Sequence, residues 1–200
     1  MIKTNPIKLT ASPRIVNNTP GILSVGDLTT LLNTASTVAP DMIPAIAIGF
    51  FAGVREAEIR RMDWKEINLQ HGEIEIPASK AKGAARRIIT MQPNLADWLR
   101  PYSGKTGPVL PANARKKIDA VKETAEVTVP RNAARHSFAS YRFAATSNAP
   151  LVISELGHMG NPVVFERHYR AVVRKPEAER YFDIKPEAEA GNVVSFAGQA

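Results

Sequence analysis

The chain has 200 residues, and 26 Lys and Arg residues against 19 Asp and Glu residues give it a formal net charge of +7. With 44% hydrophobic and 22% charged residues it has the composition of a globular protein, which excludes a chain disordered throughout and a fibrous repeat. It contains no cysteine, so a disulfide scaffold, a cysteine nucleophile, a zinc finger and an iron–sulfur site are excluded as well, and its basic balance favours a polyanionic partner.

Residues 1–21 are expected to form an N-terminal arm or linker, because Pro6, Pro13 and Pro20 interrupt them and no periodicity is sustained. This segment lacks the apolar stretch of a secretory signal. The most apolar run of the chain, residues 43–52, is about half as long as a membrane span. These features predict a cytoplasmic, nucleoid-associated protein with no membrane partner.

Helical patterns follow the N-terminal arm. Ser24 is predicted to cap a first helix, because Asp27 follows three positions later and leucines then recur at helical spacing. A second helix is expected to open at Pro40, and its apolar run has no polar face, which places it in the core. Gly53 is predicted to end it, and residues 54–62 are expected to continue as a charged amphipathic helix.

A small antiparallel sheet is predicted after this helical part. Residues 67–69 and 73–76 read as a hairpin with a polar turn at His71-Gly72. Residues 77–85 form a basic loop of small residues, and residues 86–91 supply a third strand.

The rest of the chain returns to helical patterns. Helices are predicted over residues 93–99, 113–125, 131–146, 151–156, 162–169 and 176–182. The sequence therefore predicts a mainly α domain with a small antiparallel three-stranded β-sheet, an α+β fold.

Four separated segments carry residue types that suit phosphate chemistry. They are Gly53-Val-Arg55-Glu-Ala-Glu58-Ile59, Lys80-Ala-Lys82, Asn132-Ala-Ala-Arg135-His136, and Leu156-Gly157-His158 followed by Tyr169. In this order they resemble the catalytic domain of the tyrosine recombinases, the phage-type integrase family. That family has an Arg in G-x-R-x-x-E-[IL], a Lys on a β-hairpin, a His-x-x-Arg-His motif, an L-G-H motif and a Tyr nucleophile. The resemblance covers residues 22–184.

The resemblance implies an enzyme that breaks and rejoins DNA strands through a 3′-phosphotyrosyl intermediate, in recombination or integration of a phage or mobile element. Arg55 and Arg135 take the places of the two arginines that hold the non-bridging oxygens of the scissile phosphate. Glu58, one helical turn after Arg55, is expected to orient its neighbours rather than to act on DNA. The reaction exchanges one phosphoester for another, so no cofactor and no metal are expected.

A lysine on the hairpin is implied as the acid that protonates the departing 5′ oxygen. Lys82 is preferred because it lies eight positions before Thr90, which stands where the family has the proline that ends the next strand. Lys80 is the alternative. Lys80, Arg86 and Arg87 are otherwise expected to contact DNA phosphates.

The sequence departs from the family pattern at two places. Asn132 replaces the first histidine of His-x-x-Arg, and an amide can donate a hydrogen bond to phosphate but cannot carry a proton. His136 follows Arg135 directly and, pointing about 100° away on a helix, is expected to be structural.

The second departure concerns the nucleophile. His158 is expected to donate to a phosphate oxygen, and the family tyrosine usually follows that histidine by nine residues, where this chain has Arg167. Tyr169, two residues further on, is assigned as the nucleophile. Tyr181 is the alternative, although its apolar neighbour Phe182 favours a packing role.

The predicted domains are the arm at 1–21, a catalytic domain at 22–185 and a C-terminal tail at 186–200. The tail, with Val193, Val194 and Phe196, is a candidate segment for exchange with a neighbouring protomer, since the resemblance implies a homo-tetramer on double-stranded DNA. The family's N-terminal core-binding domain is not recognised in this sequence. Three alternatives remain open: a non-catalytic DNA-binding module of the same fold, a type IB topoisomerase-like enzyme, and a helical protein-interaction domain.

Overall fold

The helices of this protein surround one small sheet in the computed structural model, which describes residues 20–81, 85–157, 161–169 and 172–187. The helices in this part are α1 (Val25–Val38), α2 (Ile43–Ala52), α3 (Glu56–Ile59), α4 (Pro93–Leu99), α5 (Ala114–Ala125), α6 (Ala133–Thr146), α7 (Ala149–Leu156), α8 (Pro162–Tyr169) and α9 (Lys175–Phe182). The strands are β1 (Ile67–Asn68), β2 (Glu73–Ile76) and β3 (Arg87–Thr90). The prediction of a mainly α domain with a three-stranded antiparallel sheet is confirmed.

Helix α2 forms the centre of the core, as its sequence predicts. Every one of its residues is buried, and it packs against α4 and α6. It ends at Gly53, whose φ of +62° lies in the left-handed region. A Cβ at Gly53 would lie 2.5 Å from the Phe138 ring, so glycine is required there by both backbone and space.

The helix after Gly53 is shorter than its sequence pattern predicts. It was expected over residues 54–62, whereas α3 begins only at Glu56. The reason is the extended backbone of Arg55 (φ −67°, ψ 142°), which occupies the N-cap position. This break leaves the Arg55 side chain at the start of a helix.

The sheet places one arginine on its buried face. Strand β2 pairs with both neighbours, and Ile76 lies opposite Arg87 in the register of β2 with β3. Since alternate residues of a strand share a face, Arg87 lies on the same side as Ile89, which is buried. Ile88 lies on the other face and is 49% exposed.

Two groups of buried apolar residues hold the helices together. The larger group extends from α1 through α2 and the sheet to α9. The smaller one joins α6, α7 and α8, and its members are Phe138, Ala139, Ala149, Val152, Ile153, Leu156 and Phe165. Phe165 is the buried residue of α8.

In the four described ranges, no helix is both long and apolar enough to cross a bilayer.

Candidate active site

Arg55 reaches from the start of α3 to the end of α7. Its Nη1 donates to Glu58 Oε1 at 2.9 Å, and its Nη2 donates to the Gly157 carbonyl at 3.0 Å. The side chain is 18% exposed, so the guanidinium group is held in place but open to a ligand from one side.

Glu58 is the buried carboxylate that ties this region together. Besides the Arg55 side chain, it accepts hydrogen bonds from the Arg55 backbone N–H at 3.2 Å and from Arg87 Nη1 and Nη2 at 3.1 and 2.6 Å. Burial alone would raise its pKa, but the hydrogen bonds and charge of Arg87, together with the hydrogen bonds from Arg55, lower the pKa to about 2. Glu58 therefore orients two arginines, in agreement with the expectation from sequence.

Arg87 is the second arginine that Glu58 holds. Its side chain is 11% exposed, and a Cβ on Gly157 would lie 2.8 Å from Arg87 Cδ. Its Nε is buried without a hydrogen-bond partner within the described ranges. From sequence, Arg87 was grouped with Lys80 and Arg86 as a contact of the hairpin with DNA. In the structure its guanidinium group shares Glu58 with Arg55.

Lys80 and Arg86 lie outside this arginine group. Lys80 Nζ donates to Glu66 Oε1 at 2.5 Å, and the lysine side chain is 24% exposed. Arg86 Nε donates to Glu75 Oε1 at 2.6 Å on the surface of the sheet. Both charges are thus paired with a carboxylate, but the Arg86 side chain is the more exposed of the two, at 60%.

Arg135 joins the ends of two helices. Its Nη1 donates to the Gly53 carbonyl at 2.7 Å and its Nη2 to the Leu156 carbonyl at 2.6 Å. Burial, followed by the positive charges of Arg55 and Arg87, lowers its pKa to about 9, so it still carries its charge at neutral pH. Three of the four motif segments therefore meet at one point.

Tyr169 ends α8 close to Arg135. Its hydroxyl lies 2.9 Å from His136 Nδ1, and its ring lies 4.5 Å from the Phe165 ring. Burial raises the pKa of the phenol, and the positive charge of Arg135 partly offsets this rise. The tyrosine assigned from sequence is thus close to Arg135.

His136 contacts the Tyr169 hydroxyl, although the sequence assigned it a structural role. Burial and then the neighbouring His168 and Arg135 lower the pKa of its imidazole. The interaction depends on α8 packing beside α6, which adjacent positions on one helix cannot predict. Its spacing of four residues from Asn132, one helical turn, is a signal in the sequence that the structural assignment did not use.

Asn132 occupies a demanding backbone position. Its φ is +59°, its carbonyl accepts from the His136 N–H at 3.0 Å, and its side chain makes no capping hydrogen bond to α6. Asparagine adopts the left-handed region more readily than most residues, which gives this position a local reason for an amide.

The other tyrosines are held by backbone carbonyls. Tyr181 is fully buried, donates to the Phe50 carbonyl at 2.7 Å and stacks on Tyr141 at 3.9 Å between ring centres. Tyr102 donates to the Pro40 carbonyl. This burial favours Tyr169 over Tyr181 as a nucleophile.

Two predicted site residues, Lys82 and His158, lie outside the described residues, as do Val193, Val194 and Phe196 of the tail. Among the residues that are described, no group of three or more His, Cys, Asp or Glu could hold a metal ion.

Comparison with known proteins agrees with this geometry. The model of the phage integrase family matches residues 23–173. Tyrosine recombinase XerC of Proteus mirabilis is 22% identical over 179 residues, which are 79% of this chain and 57% of that protein. This chain thus spans little more than half of that relative.

Two solved structures share the fold. The XerA recombinase superimposes with a TM-score of 0.64 at 20% identity, over 86% of this chain and 68% of that one. The catalytic domain of bacteriophage HP1 integrase does so with a TM-score of 0.59 at 20% identity, over 90% of this chain and 99% of that one.

Proposed function

Because the chain belongs to the phage integrase family, we propose that it carries the catalytic domain of a tyrosine recombinase, which cleaves and rejoins strands of double-stranded DNA in site-specific recombination or integration. The observation that carries this proposal is the meeting of Arg55, Arg87 and Arg135, of which Arg135 lies close to Tyr169. The Tyr169 hydroxyl itself contacts His136.

The arginines suit a phosphodiester. Attack on this anion builds further negative charge on its non-bridging oxygens, and fixed guanidinium groups stabilise that charge without reorganising. Glu58 neutralises one of three positive charges, so the group keeps an excess of positive charge for a phosphate. In the proposal, Arg55 and Arg135 bind the two oxygens, and Arg87 fixes Glu58.

The proposed reaction conserves the number of phosphoester bonds. The Tyr169 oxygen attacks phosphorus, the bond to the 5′ oxygen breaks, and a 3′-phosphotyrosyl link and a 5′-hydroxyl result. Lys82 is proposed to protonate the 5′ oxygen, and His158 and Asn132 to donate hydrogen bonds to the phosphate. The reverse reaction, with a 5′-hydroxyl from another strand, rejoins the DNA.

Binding of DNA is proposed to extend beyond the scissile phosphate. Arg86, whose partner Glu75 is itself exposed, can exchange that carboxylate for a phosphate, and Lys80 is proposed to act nearby.

We also propose a cytoplasmic, nucleoid-associated protein that assembles as a tetramer on DNA, with residues 186–200 passed between protomers.

The test is to trap the covalent intermediate. The protein is incubated with DNA duplexes of randomised sequence that carry one nick, because the short fragment beyond the nick diffuses away and prevents rejoining. We expect an adduct that survives denaturation and maps to Tyr169 by mass spectrometry. Its recovered DNA identifies the target sequence.

The matched variants are Tyr169→Phe and Tyr181→Phe, which each remove one oxygen. Tyr169→Phe should abolish the adduct and leave stability nearly unchanged. Tyr181→Phe should keep the adduct but lose roughly 1–3 kcal/mol of stability, because the buried Phe50 carbonyl loses its donor. An adduct on Tyr181 would contradict the assignment.

A second candidate function follows from the replacement of a family histidine by Asn132: a DNA-binding module of the same fold without cleavage activity. DNA binding by the wild-type protein with no adduct on any duplex would favour it. An adduct together with relaxation of any supercoiled plasmid would favour a type IB topoisomerase-like activity.

A further inference from the structure

We propose that His136 is a catalytic residue that accepts the proton of the Tyr169 hydroxyl during DNA cleavage and returns it during rejoining, in place of the histidine that Asn132 replaces. This inference rests on the proposed function and assigns its missing proton acceptor.

The geometry carries the proposal. His136 lies on α6 and Tyr169 on α8, and the imidazole Nδ1 and the phenol oxygen are 2.9 Å apart, within the range over which a proton passes directly. Within the described part of the chain, the Tyr169 hydroxyl has no other hydrogen-bond partner. The arginines nearby are donors and cannot accept a proton.

The charges around His136 favour the form that accepts. The groups that act on its ring are His168 on α8 and Arg135 on its own helix, both cations when protonated. Burial and then these charges lower the pKa of His136 from its ordinary value, which favours the neutral ring. A neutral ring whose proton sits on Nε2 presents an unprotonated Nδ1 to the phenol, which donates.

In this proposal, the Tyr169 proton moves to His136 only as the phenol oxygen attacks phosphorus. In the free protein, burial raises the pKa of the phenol and lowers that of the imidazole, and both shifts favour the proton on oxygen. As Tyr169 Oη bonds to phosphorus, its O–H bond breaks and the proton passes to His136 Nδ1. The bond from phosphorus to the 5′ oxygen breaks, and the proposed acid, Lys82, protonates that oxygen. In rejoining, His136 Nδ1–H protonates the departing phenolate.

The activity test compares His136→Gln with His168→Gln, two equal substitutions on neighbouring histidines. We expect His136→Gln to slow adduct formation by about 10²–10⁴-fold and to remove the rise of rate with pH that follows imidazole deprotonation. His168→Gln should retain the rate at pH 8 and move the inflection to higher pH, because it removes a cation that lowers the pKa of His136.

A chemical rescue separates proton acceptance from packing. Difluorotyrosine incorporated at position 169 has a more acidic phenol, so it depends less on a proton acceptor. It should speed adduct formation by a larger factor in the His136→Gln background than in the wild-type protein. Equal effects in both backgrounds would overturn the catalytic role and leave a structural one.

A measurement on the free protein does not depend on cleavage or on the folding of a variant. ¹⁵N NMR of the histidine side chains should show His136 at pH 7.5 as the neutral tautomer with an unprotonated Nδ1. A protonated Nδ1 would overturn the inference. If His136→Gln keeps the wild-type rate and pH profile, the role of His136 is overturned and the proposed function stands. If the wild-type protein forms no adduct, the proposed function and the role of His136 are overturned together.

Discussion

Glu58 is the residue on which the arrangement of the site depends most. It lies 1% exposed between Arg55 and Arg87 and accepts hydrogen bonds from both guanidinium groups. One carboxylate therefore holds Arg55 and Arg87 together, whereas Arg135 is held by backbone carbonyls.

Replacing this carboxylate should destabilise the protein in a pH-dependent way. Glu58→Gln leaves two arginines of low exposure without their anion and should cost roughly 3–5 kcal/mol at pH 7. The folded-state pKa of about 2 is below the ordinary value of 4.5, so the stability contributed by Glu58 is complete above pH 4.5 and is lost as the pH falls through 2.

The measurement is denaturant unfolding of both proteins between pH 7 and pH 2. Their difference in unfolding free energy should stay constant down to about pH 4.5 and shrink below it. Subtracting the two curves cancels the other carboxylates. A difference that does not depend on pH would contradict the low pKa of Glu58.

Sequence predicts these residues unevenly, for a physical reason. The predictions of Arg55, Arg135 and Tyr169 rest on motifs that follow one another in a recognisable order along the chain. Arg87 was not separated from Arg86 because Ile88 and Ile89 are consecutive, so alternation does not say which face of the strand is buried.

At the scale of elements, helix ends build the site. Helices α2 and α7 both end in a glycine with positive φ, Gly53 (+62°) and Gly157 (+60°). The carbonyls exposed there carry the partial negative charge of a helix C-terminus and accept from the arginines: Gly53 and Leu156 from Arg135, Gly157 from Arg55. The two glycines thus place acceptors as well as ending helices.

This arrangement predicts unequal losses of stability for two glycine substitutions at similar φ angles. Gly53→Ala should cost roughly 2–5 kcal/mol and reduce adduct formation, because the left-handed strain adds to a clash with the Phe138 ring. Gly72→Ala, at φ +66° with open space around it, should cost about 1–2 kcal/mol and leave adduct formation unchanged. Thermal and denaturant unfolding measure the loss of stability in both variants. Equal losses would show that the Phe138 ring moves away and relieves the clash.

Sequence predicts the elements well where periodicity is strong. Residues 93–99 and 162–169 were predicted with the bounds that the structure gives. The helix expected at 54–62 is limited to Glu56–Ile59, and at its C-terminal side a tertiary hydrogen bond competes with it: the Met62 carbonyl accepts from the Val109 N–H. A contact so distant in sequence leaves no local pattern.

At the scale of the whole molecule, the tyrosine is held apart from the main core. Helix α8 is anchored through Phe165 to the smaller apolar group with α6 and α7, while Val163 and Val164 of the same helix are 64% and 59% exposed. Few buried apolar contacts mean that an element opens at a lower free energy than the core does. The backbone amides of α8 should therefore exchange with solvent faster than those of α2.

Substitution of Phe165 tests this separation. Phe165→Leu should speed hydrogen exchange in α8 and slow adduct formation, because Tyr169 loses the ring packed 4.5 Å away, and should leave α2 exchange unchanged. Phe51→Leu, a matched change in the main core at 1% exposure, should speed exchange in α2 and α8 alike, because it lowers global stability. Exchange read by mass spectrometry distinguishes the two. If Phe165→Leu speeds α2 as much as α8, then both helices open as one cooperative unit, and Tyr169 is positioned by the whole fold rather than by a separately stabilised helix.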